Sequence, residues 1–429
     1  MVMLKKKADL AIVNRGFWPQ SQVIGEALLR LAETCAMGQR VVAITQSEDG
    51  RLRQRLEQAD RGDGVKVMDC RSRSNSATGL AKRSLDALIF MAWTFISLIR
   101  CRPAKVYVST NPPVVVPFIV MLYCKLFGAR YYYHLQDIHP EAAHIVVRLN
   151  PLLSKVLTWM DCLTMRYAER LITLSEDMRH CIRERSNTQA GIDLLDNPAF
   201  PVEQGTAASR DGDVVFCGNA GRLQRIPLLL DVIRDYLKQG GSLRFTFAGA
   251  GVYTSQIAGL AEEFEAVTYH GVVPAPEAVA LVNRHRWALL PIDDEVTRYA
   301  FPSKSSAYVL SGCRILAICG RGTSVARWVE EHEVGLVAEP NKESVITAFK
   351  QMELNDIPEQ GQNFGRDTAQ QPLMERLQFS YFTERLCSIM GLKISRSAAT
   401  ESSAYATNPL VAKARKSGKK VTKGKDELV

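Results

Sequence analysis

The run VVFCGNAGRLQRIPLLLDVI, residues 214–233, decides the fold. An apolar strand stops at Gly218, and Gly218 and Gly221 lead into a helix that carries Arg222 and Arg225. Small residues with two cations at a helix start suit phosphate groups. The G-x-G-x-x-G spacing of a dinucleotide fingerprint is absent, which argues against a nicotinamide site. A second stretch, RYAFPSKSSAYVLSGCRILAI (298–318), reads as loop, helix, turn and strand. Pro302 suits a helix's first turn, Ser303 is a good capping type, and Gly312 stands where the helix should end. Unpaired N–H groups at the helix start, with the charge of Lys304, favour an anion, although an ordinary capped helix would use the same letters.

The same strand-then-helix rhythm runs through the chain. Apolar runs ADLAIVN, RVVAIT, KVYVST, RYYYHL, RLITLS and GIDLL alternate with helical lengths in the first half. DVVFCG, LRFTFAG, AVTYHG, WALLPI, RILAIC and VGLVAE do so in the second. Strands apolar on both faces and joined by helices predict parallel sheets, so the expected class is α/β with two Rossmann-like domains facing across a cleft. The 429-residue length agrees with two cores rather than one. The Pro-, Gly- and polar-rich stretch 197–213 marks the boundary. The expected division is 1–200, 201–375, a closing helix within 376–392, and a disordered basic tail over 393–429 that holds too little apolar surface to order.

The net charge of +9 is concentrated in that tail, where nine basic residues face three acidic ones from Lys393 onward. A nearly neutral body argues against a nucleic-acid partner, which would require a basic stripe on the folded surface. Ten scattered cysteines without a C-x-x-C pair suggest small hydrophobes of a reducing compartment. The start, MVMLKKKADLAIVN, lacks the apolar core and cleavage site of a signal peptide. The terminal KDELV has a valine after the retrieval letters, so that match is read as coincidence. Two segments are more apolar than one-sided helices require: LDALIFMAWTFISLI (85–99), carrying Asp86, and PVVVPFIVMLYC (113–124), broken by Pro117. Neither should span a bilayer, and each is either a buried sheet-covering helix or a face that dips into a lipid interface.

Ligand sites of α/β proteins lie where strands end and loops begin. After the first strand, Gly16 and Gly25 bracket a loop that a substrate or a tight connection would explain equally. YYYHLQDIHPEAA (131–143) crowds His134, Asp137, His139 and Glu141 at the end of another strand, a density that suggests function. Metal binding fits poorly, because His134 and His139 lie five apart across a proline-containing turn. FAGAGVY adds Gly249 and Gly251 at a third strand end.

Together these stretches resemble the retaining GT-B enzymes of glycosyltransferase family 4, especially the branch that builds bacterial surface polysaccharides. The resemblance covers about residues 8–392 and is carried by STNPPVVVPF, YYYHLQDIHPEAA, LITLSEDM, VVFCGNAGRLQ and FPSKSSAYVLSGCRIL in that order. It implies an acceptor domain followed by a nucleotide-sugar donor domain. It also implies transfer to a lipid-linked or saccharide acceptor, peripheral contact with the inner face of the membrane from the cytoplasm, and no cofactor or metal. The implied donor-binding set is Gly16, Gly221, Arg222, Arg225, Gly249, Gly251, Ser303 and Lys304, with Asp137, His139 and Glu141 as the catalytic set. An Asp-x-Asp for a metal is not offered by DGD (211–213), which falls in the linker, or by DDE (293–295), which lacks the spacing. One departure stands out: the family's two glutamates, eight residues apart, correspond to Tyr299 and Ala307. That keeps two alternatives open, a nucleotide-sugar epimerase of the same fold and a non-catalytic scaffold.

Overall fold

A computed structural model describes residues 7–21, 23–74, 78–146, 150–201, 210–355 and 370–393. The expected tail, 393–429, beyond Lys393 and the middle of the linker, 202–209, lie outside the described residues. The first sheet contains β1 (Ala8–Val13), β2 (Val41–Ser47), β3 (Val65–Arg71), β4 (Pro103–Ser109), β5 (Arg130–His134), β6 (Arg170–Thr173) and β7 (Gly191–Leu194) in the order β3-β2-β1-β4-β5-β6-β7. The second contains β8 (Gly212–Cys217), β9 (Phe245–Ala248), β10 (Val267–Tyr269), β11 (His285–Pro291), β12 (Arg314–Ile318) and β13 (Gly335–Ala338) in the order β10-β9-β8-β11-β12-β13. All pairings are parallel, as runs apolar on both faces require.

Alternation along each strand divides the core into layers. Ala11 and Val13 of β1 enter one cluster with the helices Leu80–Cys101, Val115–Phe127 and Pro151–Tyr167, while Leu10 and Ile12 enter another on the opposite face with the helix Val23–Ala36. In the second domain Phe216 and Leu289 face one layer, and Val215 and Leu290 the other. The helix Phe379–Ile389 returns to the first domain: Phe382 is buried there, and Lys105 Nζ donates to the Met390 carbonyl at 2.6 Å. The chain therefore crosses the cleft twice.

Strand β3 was not read from the sequence. It is the edge of its sheet, half-buried, with Lys66, Asp69 and Arg71 among its residues, so it carries no apolar run. The helix expected at 85–99 extends over Leu80–Cys101, and Ala81–Cys101 is long and apolar enough to cross a membrane. Its inner side is part of the core, where Phe90 and Leu98 are fully buried and Asp86 pairs with Arg15 at 2.5 Å. Pro117 falls in the first turn of Val115–Phe127, where its missing N–H costs no helical hydrogen bond.

Candidate active site

Strand order reverses between β1 and β4 in one sheet and between β8 and β11 in the other. Loops leaving adjacent strands at such points diverge and open a crevice. The loops after β8 and β11 carry the residues expected on the donor side, and the loop after β5 carries the expected opposing ones.

Gly218 follows β8 with φ 133°, a conformation reserved for glycine, and a Cβ there would overlap Cε and Nζ of Lys304. Its N–H donates to the Ala248 carbonyl at 2.8 Å, and that of Ala220 to Ala250 at 2.8 Å, joining the β8 and β9 loops. Gly249 and Gly251 allow this contact, because a Cβ on either would strike the Gly218 or Ala220 carbonyl. They shape the loop, and Gly221 is tied to Gln224 Oε1 through its N–H at 3.0 Å. Arg222 is exposed and makes no ion pair among the described residues. Arg225 does not present a free cation: its guanidinium donates to the Ile292 carbonyl at 2.9 Å and to Asp294 at 3.1 Å, holding the β11 loop. Arg225, with a left-handed backbone (φ 43°), stands immediately before the helix that begins at Ile226 and does not cap it with its side chain.

The helix expected after Pro302 is Lys304–Leu310, ended by Gly312 at φ 70°. Ser303 does not cap it. Its backbone is already helical and its side chain makes no cap bond, while Ser305 takes the polar contact instead, its hydroxyl donating to the Pro302 carbonyl at 2.8 Å. Lys304 Nζ sits 4.4 Å from the Phe216 ring centroid and has no carboxylate partner among the described residues. Burial pushes its pKa down to about 8. Lys304 and Ser303 line a 240 Å³ cavity with Phe216, Gln224, Ile292 and Phe301.

Across the cleft, Asp137 bridges Ala300, and the Ile138 N–H donates to the Tyr299 carbonyl at 2.7 Å. The loop after β5 thus meets the segment leading to Lys304. The Asp137 carboxylate accepts no hydrogen bond among the described residues, and burial raises its pKa to about 6. Burial, then the Arg185 charge, lowers His139 to about 4, so its ring is neutral near pH 7. Glu141 is not a free acid: Arg185 holds it at 2.7 Å while also binding Asp161 and the His139 carbonyl, each at 2.7 Å. His134, part of the same crowded motif, belongs to the core. It is fully buried, its Nδ1 lies 2.7 Å from the Tyr107 hydroxyl, and burial lowers its pKa to about 3. Gly16 lies in the β1 loop, which the Arg15 N–H ties to the Asn111 carbonyl at 2.8 Å, and its Cβ would sit 3.2 Å from Asn111 Nδ2.

Three residues of the cleft were missed. Phe216 and Gln224 border Lys304, and both lie in the run 214–233 without having been singled out there. Glu295 lines a 360 Å³ pocket with Glu141, Ile145, Ser154 and Tyr299, and it was weighed only as part of a metal motif. Asp293 and Asp294 of that motif pair with Arg225, and Asp211 and Asp213 with Arg284 and Arg286.

No family model matches the chain. A probable glycosyltransferase of Pseudomonas aeruginosa, WbjE, is 25% identical over 272 residues, 59% of this chain and 68% of that protein. Among solved structures, sucrose-phosphate synthase from Thermosynechococcus elongatus superposes with a TM-score of 0.65 at 13% identity, covering 90% of this chain and 98% of its own. Anabaena HepE in complex with UDP gives 0.59 at 14% identity, covering 89% and 99%. These two likenesses show the fold, which is GT-B. With that fold, the WbjE relationship supports a glycosyltransferase.

Proposed function

We propose that the protein is a retaining glycosyltransferase of surface polysaccharide biosynthesis, moving a sugar from a nucleotide-sugar donor to a lipid-linked or saccharide acceptor at the inner face of the membrane. The observation that carries this reading is Lys304, an ammonium group without a carboxylate partner among the described residues, half-buried beside a glycine-lined loop at the switch point. A buried cation without a counter-ion is costly, and a departing diphosphate would supply one. HepE, of the same fold, is described with UDP bound.

In the proposed reaction the bond from the sugar's anomeric carbon to the diphosphate breaks and a bond to the acceptor oxygen forms on the same face. Lys304, with Arg222 at the loop's exposed end, offsets charge developing on the diphosphate, so no divalent ion is required. The acceptor proton passes to Asp137 or to the leaving phosphate oxygen, and no protein nucleophile takes part. Asp137 is within the opposing loop and carries the free carboxylate for that role.

Sugar transfer from a panel of UDP- and GDP-sugars to polyprenyl-linked and free saccharides tests the proposal. Lys304→Ala is expected to lower the rate by about 10²-fold, the cost typical of losing one transition-state donor, with the melting temperature nearly unchanged. Turnover of Lys304→Ala at the wild-type rate would remove this site from the reaction. A scaffold reading rests on Ala307, which packs against the second domain's core and has no group to bind a ribose. Absence of nucleotide binding would favour it.

A further inference from the structure

The helices Leu80–Cys101, Val115–Phe127 and Pro151–Tyr167 pack side by side over one face of the first sheet. Most of the exposed large apolar side chains among the described residues lie on their outer surface, and the others, such as Met37 and Val272, are scattered singly. On the first helix Leu85, Leu88, Ile96 and Ile99 form one stripe. Spacings of three, eight and three residues keep them on one side of a 3.6-residue helix over about 20 Å. Leu122 and Leu126 continue the surface onto the second helix, and Leu152, Val156 and Trp159 onto the third, where Trp159 lies 6.2 Å from Phe118.

Charge on this face has a single sign. Lys82, Arg83, Arg100, Lys125, Lys155 and Arg166 are exposed. The only two carboxylates of the three helices, Asp86 and Asp161, are each 1% exposed and paired inward with Arg15 and Arg185. A single-sign rim around leucine, isoleucine and tryptophan matches a surface whose headgroups are anionic and whose interior is hydrocarbon. A second copy of this chain fits badly, since a two-fold interface would set the six cations against themselves.

We infer that this three-helix face docks the protein on an anionic lipid bilayer, lying on the membrane rather than crossing it. Crossing is opposed by the first helix's inner side, which buries Phe90, Thr94 and Leu98 in the sheet's core. The inference rests on the proposed transfer to a lipid-linked acceptor and places it in space. A 330 Å³ groove along the third helix, walled by Trp159 and Leu163 with Lys155 and Arg166 beside it, shares Ser154 with the 360 Å³ pocket of Glu141 and Tyr299. An acceptor anchored in the bilayer would thus have its saccharide at the Asp137 side of the cleft.

Flotation of the full chain with phosphatidylcholine vesicles, with and without phosphatidylglycerol, tests this. Vesicles containing phosphatidylglycerol should bind at least about tenfold more tightly, and high salt should weaken the binding. Two variants leave the remainder of the chain intact: Leu88→Glu with Ile96→Glu and Leu126→Glu, and Lys82→Glu with Arg83→Glu and Lys155→Glu. Each should lose at least about tenfold in vesicle affinity while binding UDP as the wild type does. The second set alters only exposed side chains, so it remains informative if the first fails to fold. Wild-type flotation by both variants, equal binding to both vesicle types, or a dimer that Leu88→Glu dissociates would each overturn the inference. A wild type that binds UDP but neither kind of vesicle counts against this face alone. UDP binding absent with flotation intact counts against the transferase reading.

Discussion

Burial moves Lys304 and Asp137 toward their neutral forms from opposite directions, the amine down to about 8 and the carboxyl up to about 6. Between those values both are charged, which is the state the proposed chemistry needs. As pH falls through about 6, Asp137 gains a proton and can no longer accept one; as pH rises through about 8, Lys304 loses the charge that offsets the diphosphate. A plot of kcat/KM against pH should therefore form a bell with limbs near those two values. Asp137→Asn should abolish the acid limb together with most of the rate. Lys304→Arg, whose guanidinium stays protonated, should carry the plateau to higher pH. Both groups were legible as residue types at strand ends. Arg225 and Glu141 read the same way but are occupied by Asp294 and Arg185, and such partners 69 or 44 positions away leave no mark in a local motif; Ser303 is already helical in its backbone and makes no cap bond.

At the scale of elements, runs apolar on both faces were enough to find the parallel strands that lie inside each sheet. Edge strand β3 shows the limit, because one open edge lets Lys66, Asp69 and Arg71 interrupt the pattern. The glycine loop after β8 was legible too, but its reason was not: Gly218 is small because Lys304, 86 residues later, occupies the space where a Cβ would stand. Gly218→Ala should cost about 1–3 kcal/mol in urea unfolding, from its positive φ and the overlap, and should also weaken UDP binding. Gly240→Ala is the matched control, with a φ of 85° and open space around it. It should lose stability without losing nucleotide affinity. Equal nucleotide affinity in the Gly218 variant would mean the loop does not position Lys304.

Across the whole molecule, the lobes are joined by more than the linker. Asp177 accepts from the Ser324 N–H at 2.9 Å and pairs with Arg327, while the helix Phe379–Ile389 seats Phe382 beside the His134 ring, 6.0 Å away. His134 is neutral in the fold, with a pKa near 3 against about 6.5 in an unfolded chain. Its contribution is complete above about pH 6.5 and is lost as pH falls toward 3, at up to about 1.4 kcal/mol per pH unit. In urea titrations between pH 6 and 4, His134→Asn should show a slope of stability against pH shallower by about one proton, whatever its absolute stability. An unchanged slope would mean that His134 is not the group taking up that proton. The two-lobed plan itself was readable from strand rhythm and the 197–213 break, whereas the return of the last helix to the first domain was expected only from the family resemblance, because contacts such as Cys387 with Cys35 are encoded by no local pattern.

The claim beneath all of this is a nucleotide diphosphate site built from a glycine loop and Lys304 without a divalent ion. Calorimetric titration of UDP and GDP into the full chain in EDTA, wild type beside Lys304→Ala, tests it most directly. The account predicts binding of at least one nucleotide without metal, weakened about tenfold or more by the substitution, as expected for a charged hydrogen bond. Equal affinity in both proteins, or binding that appears only when magnesium is restored, would contradict it.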